Sequence, residues 1–149
     1  MTKIRAFDLE DEGQVIELWN NCDLVTPNNI PTLDIERKLK VNPDLFLVAV
    51  SEDKPETKIV GSVMGGYEGH RGWINYLAVD PNHRRKGIAR KLMKEIEEKL
   101  ITKGAPKINL QIRKTNQEVM AFYEAIGYIE DKVISMGKRL EENVSNDCC

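Results

Sequence analysis

Apolar positions recur along this chain with two spacings, and the spacings mark out its elements. Residues 3–7 read as a short strand. Asp8 is a candidate N-cap for a helix carrying Val15, Ile16, Leu18, Trp19 and Cys22 at helical spacing. Residues 26–31, with Pro27 and Pro31, break it. A second helix is expected over 33–40, with Ile35 and Leu39 on one face. Then the period changes. Residues 45–50 are nearly all apolar, as in a buried strand. Residues 52–56 form a turn, and 59–64 return as a hairpin partner. A third strand is expected over 73–79. Ile88, Leu92, Ile96 and Leu100 recur every four residues, which predicts a helix over 87–103 closed by Gly104. Residues 107–113 alternate, with Ile108, Leu110 and Ile112 on one side. Residues 115–118 read as a capping box that opens a helix to about 126, closed by Gly127. A last strand is expected over 132–140. The order β-α-α-β-β-β-α-β-α-β combines antiparallel hairpins with a strand–helix–strand crossover, a mixed α/β layer fold.

Composition narrows the class only a little. The 149 residues suit one domain over 1–140, followed by a polar, disordered tail over 141–149. With 41% hydrophobic and 31% charged residues, the chain is of ordinary globular composition. A net charge of -2 offers no global attraction to nucleic acid or to an acidic membrane. No apolar run is long enough to span a bilayer. Cys22, Cys148 and Cys149 make no disulfide framework, and Cys22 reads as core. A reduced, cytoplasmic protein is the expectation, as monomer or homodimer.

The chemistry concentrates between Val79 and Leu92. A buried strand ends at Val79, and Asn82-His83-Arg84-Arg85-Lys86-Gly87-Ile88-Ala89 leads straight into an amphipathic helix. The first turn of a helix offers unpaired N–H groups and the positive end of its dipole, which suit a pyrophosphate. Gly87 lets a phosphate approach the backbone. Arg84, Arg85, Lys86, Arg90 and Lys91 surround it. Basic residues there oppose the helix dipole by about 0.3–1 kcal/mol each. A solvated basic turn would gain nothing from five of them, so the pattern favours an anion. The loop lacks the signatures of a P-loop and of a dinucleotide fold.

Arg84-Arg85-Lys86-Gly87-Ile88-Ala89 resembles the Arg/Gln-x-x-Gly-x-Gly/Ala signature of the GNAT acetyltransferase superfamily, and Leu77-Ala78-Val79-Asp80-Pro81 before it is similar too. The resemblance runs over essentially the whole chain. Residues 64–72 and 135–140 look particularly like the bacterial YpeA-type branch. The implied fold is a central, mostly antiparallel sheet with splayed parallel strands, flanked by helices. The implied cosubstrate is acetyl-CoA, with no metal. The backbone of Leu77, Ala78 and Val79 would hold the pantetheine arm, and Arg84, Arg85, Lys86, Gly87, Ile88, Ala89 and Arg90 the pyrophosphate. Asn116 would touch the arm. Tyr123 would lie near the sulfur and protonate the departing thiolate.

The general base is not readable. The resemblance places one at Gln111, which takes no proton at neutral pH, and residues 73–79 hold no carboxylate. Glu68, His70, Tyr76 or a chain of waters remain candidates. Trp19, Asn28, Asn29, Tyr67, Glu68, His70, Arg71 and Tyr76 are candidate linings of the acceptor site, and Glu68 or Asp34 could bind an amine cation. The acceptor stays open among polyamine, antibiotic, amino acid, lysine side chain and protein N-terminus. Two rivals remain. Gln111 motivates a non-catalytic acyl-CoA-binding regulatory module. The basic loop motivates nucleic-acid binding, which the overall charge disfavours.

Overall fold

A computed structural model describes residues 1–53 and 56–141. The expected turn at 52–56 falls partly outside them, and so do Cys148 and Cys149. Five strands form one sheet in the order β1-β2-β3-β4-β5. They are β1 (Thr2–Ala6), β2 (Phe46–Ser51), β3 (Lys58–Tyr67), β4 (Gly72–Val79) and β5 (Ile108–Asn109). The first four are antiparallel neighbours, and β5 joins β4 in parallel. The helices are α1 (Glu12–Asn21), α2 (Pro31–Lys40), α3 (Ile88–Lys103) and α4 (Gln117–Ala125).

Each sheet face is covered by its own core. On one face Val15, Leu18 and Trp19 of α1 and Ile35 of α2 pack on Phe46, Val48 and Met64. On the other, Ile88, Leu92, Met93, Ile96 and Leu100 of α3, with Tyr123 of α4, pack on Leu45, Leu47, Val60, Val63 and Ile74. Helix α3 lies close because β3 gives way beneath it. A Cβ at Gly65 would stand 2.8 Å from the Ile96 side chain, and one at Gly61 3.0 Å from Leu92.

Caps explain the boundaries. Asp8 accepts from Glu10 N–H and Asp11 reaches back to Asp8 N–H, so a short 3-10 turn, Leu9–Asp11, opens α1. Pro31 starts α2, because a proline suits the first helical position. Leu45 belongs to a 3-10 turn before β2. Asn116 caps α4 through Val119 N–H at 3.3 Å, where the capping box had pointed to Thr115.

Two expectations need correction. The strand over 107–113 shrinks to Ile108–Asn109, because the chain then leaves β4, although Leu110 and Ile112 still pack on the core. The strand over 132–140 does not form. The sheet edge it would join is two residues long, which is too short to template a ladder. Ile129, Val133, Ile134, Met136 and Leu140 are exposed. Polar ties hold the segment instead: Asp131 meets Lys107 at 2.9 Å and Asn109 at 2.6 Å, Ser135 meets Gln111, and Arg139 donates to the Asn28 carbonyl. Of the expected tail, Glu141 is described, and it pairs with Arg37 at 2.8 Å. Residues 142–149 lie outside the described residues.

Candidate active site

Strand β4 runs eight residues, but β5 accompanies it only at Gly72 and Trp73. From Ile74 onward the two chains part, and the splay opens toward the N-terminus of α3. Within the splay β4 is broken once. Its register against β3 passes from Ser62↔Ala78 to Met64↔Asn75, so Tyr76 and Leu77 together oppose Val63. Such a bulge bends the strand and resets which face each side chain takes. Ile74 packs on the α3 side, yet Tyr76, two residues on, packs on the α1 side. Tyr76 holds φ +51°, in the left-handed region that side chains avoid.

Four contacts keep it there. Its ring stacks on Trp19 with centroids 3.8 Å apart. Its carbonyl accepts from Ser62 Oγ at 2.9 Å, and Ser62 in turn accepts from Trp19 Nε1 at 2.9 Å. Its phenol donates to Asp34 Oδ2 and accepts from Asn29 Nδ2, each at 2.5 Å. Burial, then the Asp34 carboxylate, push that phenol well above the ordinary tyrosine range.

Past Val79 the loop is built on Asp80. Burial pushes its carboxyl up, but the Asn82 amide at 2.9 Å and the Lys58 ammonium at 3.2 Å outweigh that and hold it low. Arg85 at φ +65° and Gly87 at φ +75° then turn the backbone twice through the left-handed region. Alternation of this kind gathers successive N–H groups into an anion-binding concavity. The first amide there to find a partner is that of Lys91, on Gly87 O. Among the described residues, no amide from Arg84 to Arg90 is bonded to the protein. The loop is exposed from Arg84 to Gly87, and a Cβ at Gly87 would meet nothing within 4 Å.

Tyr123 closes the other side from α4. It is buried, edge-on to Tyr128 at 5.4 Å. Burial raises its pKa, so it stays protonated across the physiological range. No described residue hydrogen-bonds its hydroxyl, and that oxygen is not among the sealed, unpaired ones. It is open to solvent. Asn116 is exposed, with Oδ1 engaged in the cap.

The structure separates other candidates from this centre. Glu68 and His70 lie in the turn before Gly72, and Gly72 itself is already five residues from Leu77, about 16 Å along a strand. Glu68 accepts the amides of Arg71 and His70, which hold its pKa down and make it a poorer base. Tyr67 donates to the Gly104 carbonyl at the far end of α3. Gln111 is exposed and bonded to Ser135. Sequence reasoning named Trp19, Asn29, Asp34 and Tyr76 separately and missed Ser62, which links Trp19 to the bulge. A lone serine in the apolar run 59–64 was its signal, since a buried hydroxyl needs partners.

Both the sequence and the overall fold have counterparts among known proteins. The sequence profile described as "Acetyltransferase (GNAT) family" matches residues 12–128. The chain belongs to the GNAT acetyltransferase family. An acetyltransferase of Sodalis glossinidius (strain morsitans) is 49% identical over 142 residues, 95% of this chain and 97% of that one. Among solved structures, Ard1 from Thermoplasma volcanium shares the fold at a TM-score of 0.76 with 22% identity, over 86% of this chain and 82% of that one. A structure of the NatC complex bound to Gag peptide and CoA aligns at 0.75 with 23% identity, over 88% and 86%.

Proposed function

We propose that this GNAT family member is an acetyl-CoA-dependent N-acetyltransferase that passes the acetyl group directly to a primary amine in a ternary complex. The observation that carries the reading is the run of unbonded amides from Arg84 to Arg90, gathered by two left-handed residues at the N-terminus of α3. The first amides of a helix lack intrahelical partners, and here no side chain caps them, which leaves them to a ligand or to water. A pyrophosphate fits, with Arg84, Arg85, Lys86 and Arg90 as counter-charge and Gly87, Ile88 and Ala89 as the close backbone. The CoA bound to the similarly folded NatC complex is consistent with this donor.

On this reading, the backbone of Leu77, Ala78 and Val79 holds the pantetheine arm in the splay, and Asn116 steadies it from α4. Leu77 N–H, next to the bulge, donates to the acyl oxygen as the amine adds. Tyr123 gives its proton to the departing sulfur. A raised phenol pKa makes a weak acid, but a thiolate in the same buried site is destabilised by the same desolvation, so the two stay matched.

Calorimetric titration with acetyl-CoA, and thiol release in the presence of an amine panel, test the reading. Saturable binding that weakens in Gly87→Ala, with acetylated product, is the expected result. No binding would overturn it. Binding without transfer to any amine would leave an acyl-CoA-binding module in its place.

A further inference from the structure

We infer that Asp34, aimed by Tyr76, binds the ammonium group of the acceptor and takes the proton its nitrogen must lose. The inference rests on the N-acetyltransfer reading and assigns the acceptor half of that site. It begins from a shortage. An alkyl ammonium has no lone pair, so a group near the acyl carbon must receive a proton. Strand β4 carries no carboxylate from Gly72 to Val79. Glu68 and His70 stand at the far end of that strand, and Gln111 is an amide.

Asp34 is the carboxylate tied to the bulge itself. The direction of the tie is set by Asn29. Its Oδ1 is taken by the amide and hydroxyl of Thr26, both at 2.8 Å, and its Nδ2 also meets the Leu24 carbonyl at 3.1 Å. The amide end of Asn29 therefore faces Tyr76, and the phenol proton is left to point at Asp34 Oδ2. Asp34 Oδ1 has no donor among the described residues and is not sealed from solvent. The free carboxylate oxygen of Asp34, tied to the bulge through Tyr76, suits a ligand made of donors. A primary ammonium has three N–H bonds and no acceptor.

The step balances. The ammonium gives one proton to Asp34, and the freed lone pair forms the N–C bond. The C–S bond breaks, its electron pair leaves with sulfur, and the sulfur takes a proton. The second proton shed by nitrogen, as it becomes an amide, reaches solvent. A carboxylate is a weak base toward a free alkyl ammonium, so transfer must run together with N–C bond formation, which acidifies the nitrogen. The substrate class is a cationic primary amine rather than a neutral nucleophile.

Asp34→Asn keeps the oxygen that accepts from Tyr76, and so keeps the network. Four acceptor probes are used with the full chain: spermidine, kanamycin, an alanine-led peptide, and hydroxylamine, which is uncharged at neutral pH. We expect kcat/KM in Asp34→Asn to fall about 100-fold on whichever cationic probes the native chain acetylates, the size of a lost general base. The rate on hydroxylamine should fall far less, with acetyl-CoA affinity and Tm unchanged. Tyr76→Phe should show the same pattern, more weakly, since it loosens the carboxylate without removing it. Equal losses on charged and neutral probes, or no loss, would overturn the inference alone. A native chain that binds acetyl-CoA but acetylates none of the four would overturn it together with the N-acetyltransfer reading.

Discussion

Tyr76 occupies backbone space that costs a side chain about 1–2 kcal/mol. The cost is offset by partners drawn from three elements: Trp19 of α1, Ser62 of β3 and Asp34 of α2. Ser62 is the most economical of these, because one hydroxyl serves both Trp19 Nε1 and the Tyr76 carbonyl. Ser62→Ala leaves both groups buried and unpaired, and we expect a loss of about 1–3 kcal/mol. At roughly 2–4 °C per kcal/mol for a chain of this size, calorimetry should resolve the drop in Tm. Tyr123→Phe is the opposite kind of change. Its hydroxyl bonds no described residue, so stability and acetyl-CoA affinity should hold while kcat falls about 100-fold. Stopped-flow measurement of thiol release would settle whether chemistry limits the rate, and an unaltered chemical step would remove Tyr123 from the mechanism.

At the scale of elements, α3 matters most, since its N-terminus carries the free amides and its length seats it on the sheet. Gly65→Ala would drive a methyl group to 2.8 Å from Ile96, with about 1–3 kcal/mol of overpacking. Urea unfolding should show a lowered midpoint with an unchanged slope, and acetyl-CoA affinity should weaken as α3 lifts. This helix was also the most legible element in the sequence. Its four-residue apolar period, Gly87 and Gly104 place both ends within a residue, because the pattern that defines the helix is local. The splay was not legible from periodicity. Ile108, Leu110 and Ile112 alternate as a full strand would, and they do face the core, but alternation says nothing about whether a neighbour is within hydrogen-bonding distance. The bulge at Tyr76 left no mark at all, for a tyrosine is an unusual occupant of left-handed backbone. The basic turn before α3 stood out because charge and glycine sit side by side along the chain. The Asp34–Tyr76 pair could not, because 42 positions separate its members.

For the molecule as a whole, two responses follow. The Asp11 carboxyl, bound by the two terminal guanidinium nitrogens of Arg5 at 2.7 and 2.9 Å, is held below the ordinary aspartate range. Asp44 beside Lys103, and Asp80, are held low too. A carboxylate whose pKa is lower folded than unfolded contributes stability above its unfolded value, near pH 4, and loses it as pH falls through the folded one. Tm should therefore be flat near neutrality and decline below about pH 4, with a shallower decline in Asp11→Asn. Acetyl-CoA, binding only the folded chain, should add about 2.7 kcal/mol at a hundred times its Kd. Thermal melts at graded ligand would read that shift directly.

The sheet order β1-β2-β3-β4-β5 also dictates a history. Four strands that neighbour one another in sequence can zip together from residues 2–79 alone, while β5 must wait for α3 to be made and folded back. One wall of the cleft is thus standing before the other exists. A nascent chain released before residue 108 would carry the bulge, Trp19 and Asp34 in place, but no second wall to close on a ligand. Pulse-labelled hydrogen exchange during refolding should show the β2–β3 amides protected ahead of those in α4, so that the second wall of the cleft is the last part to set.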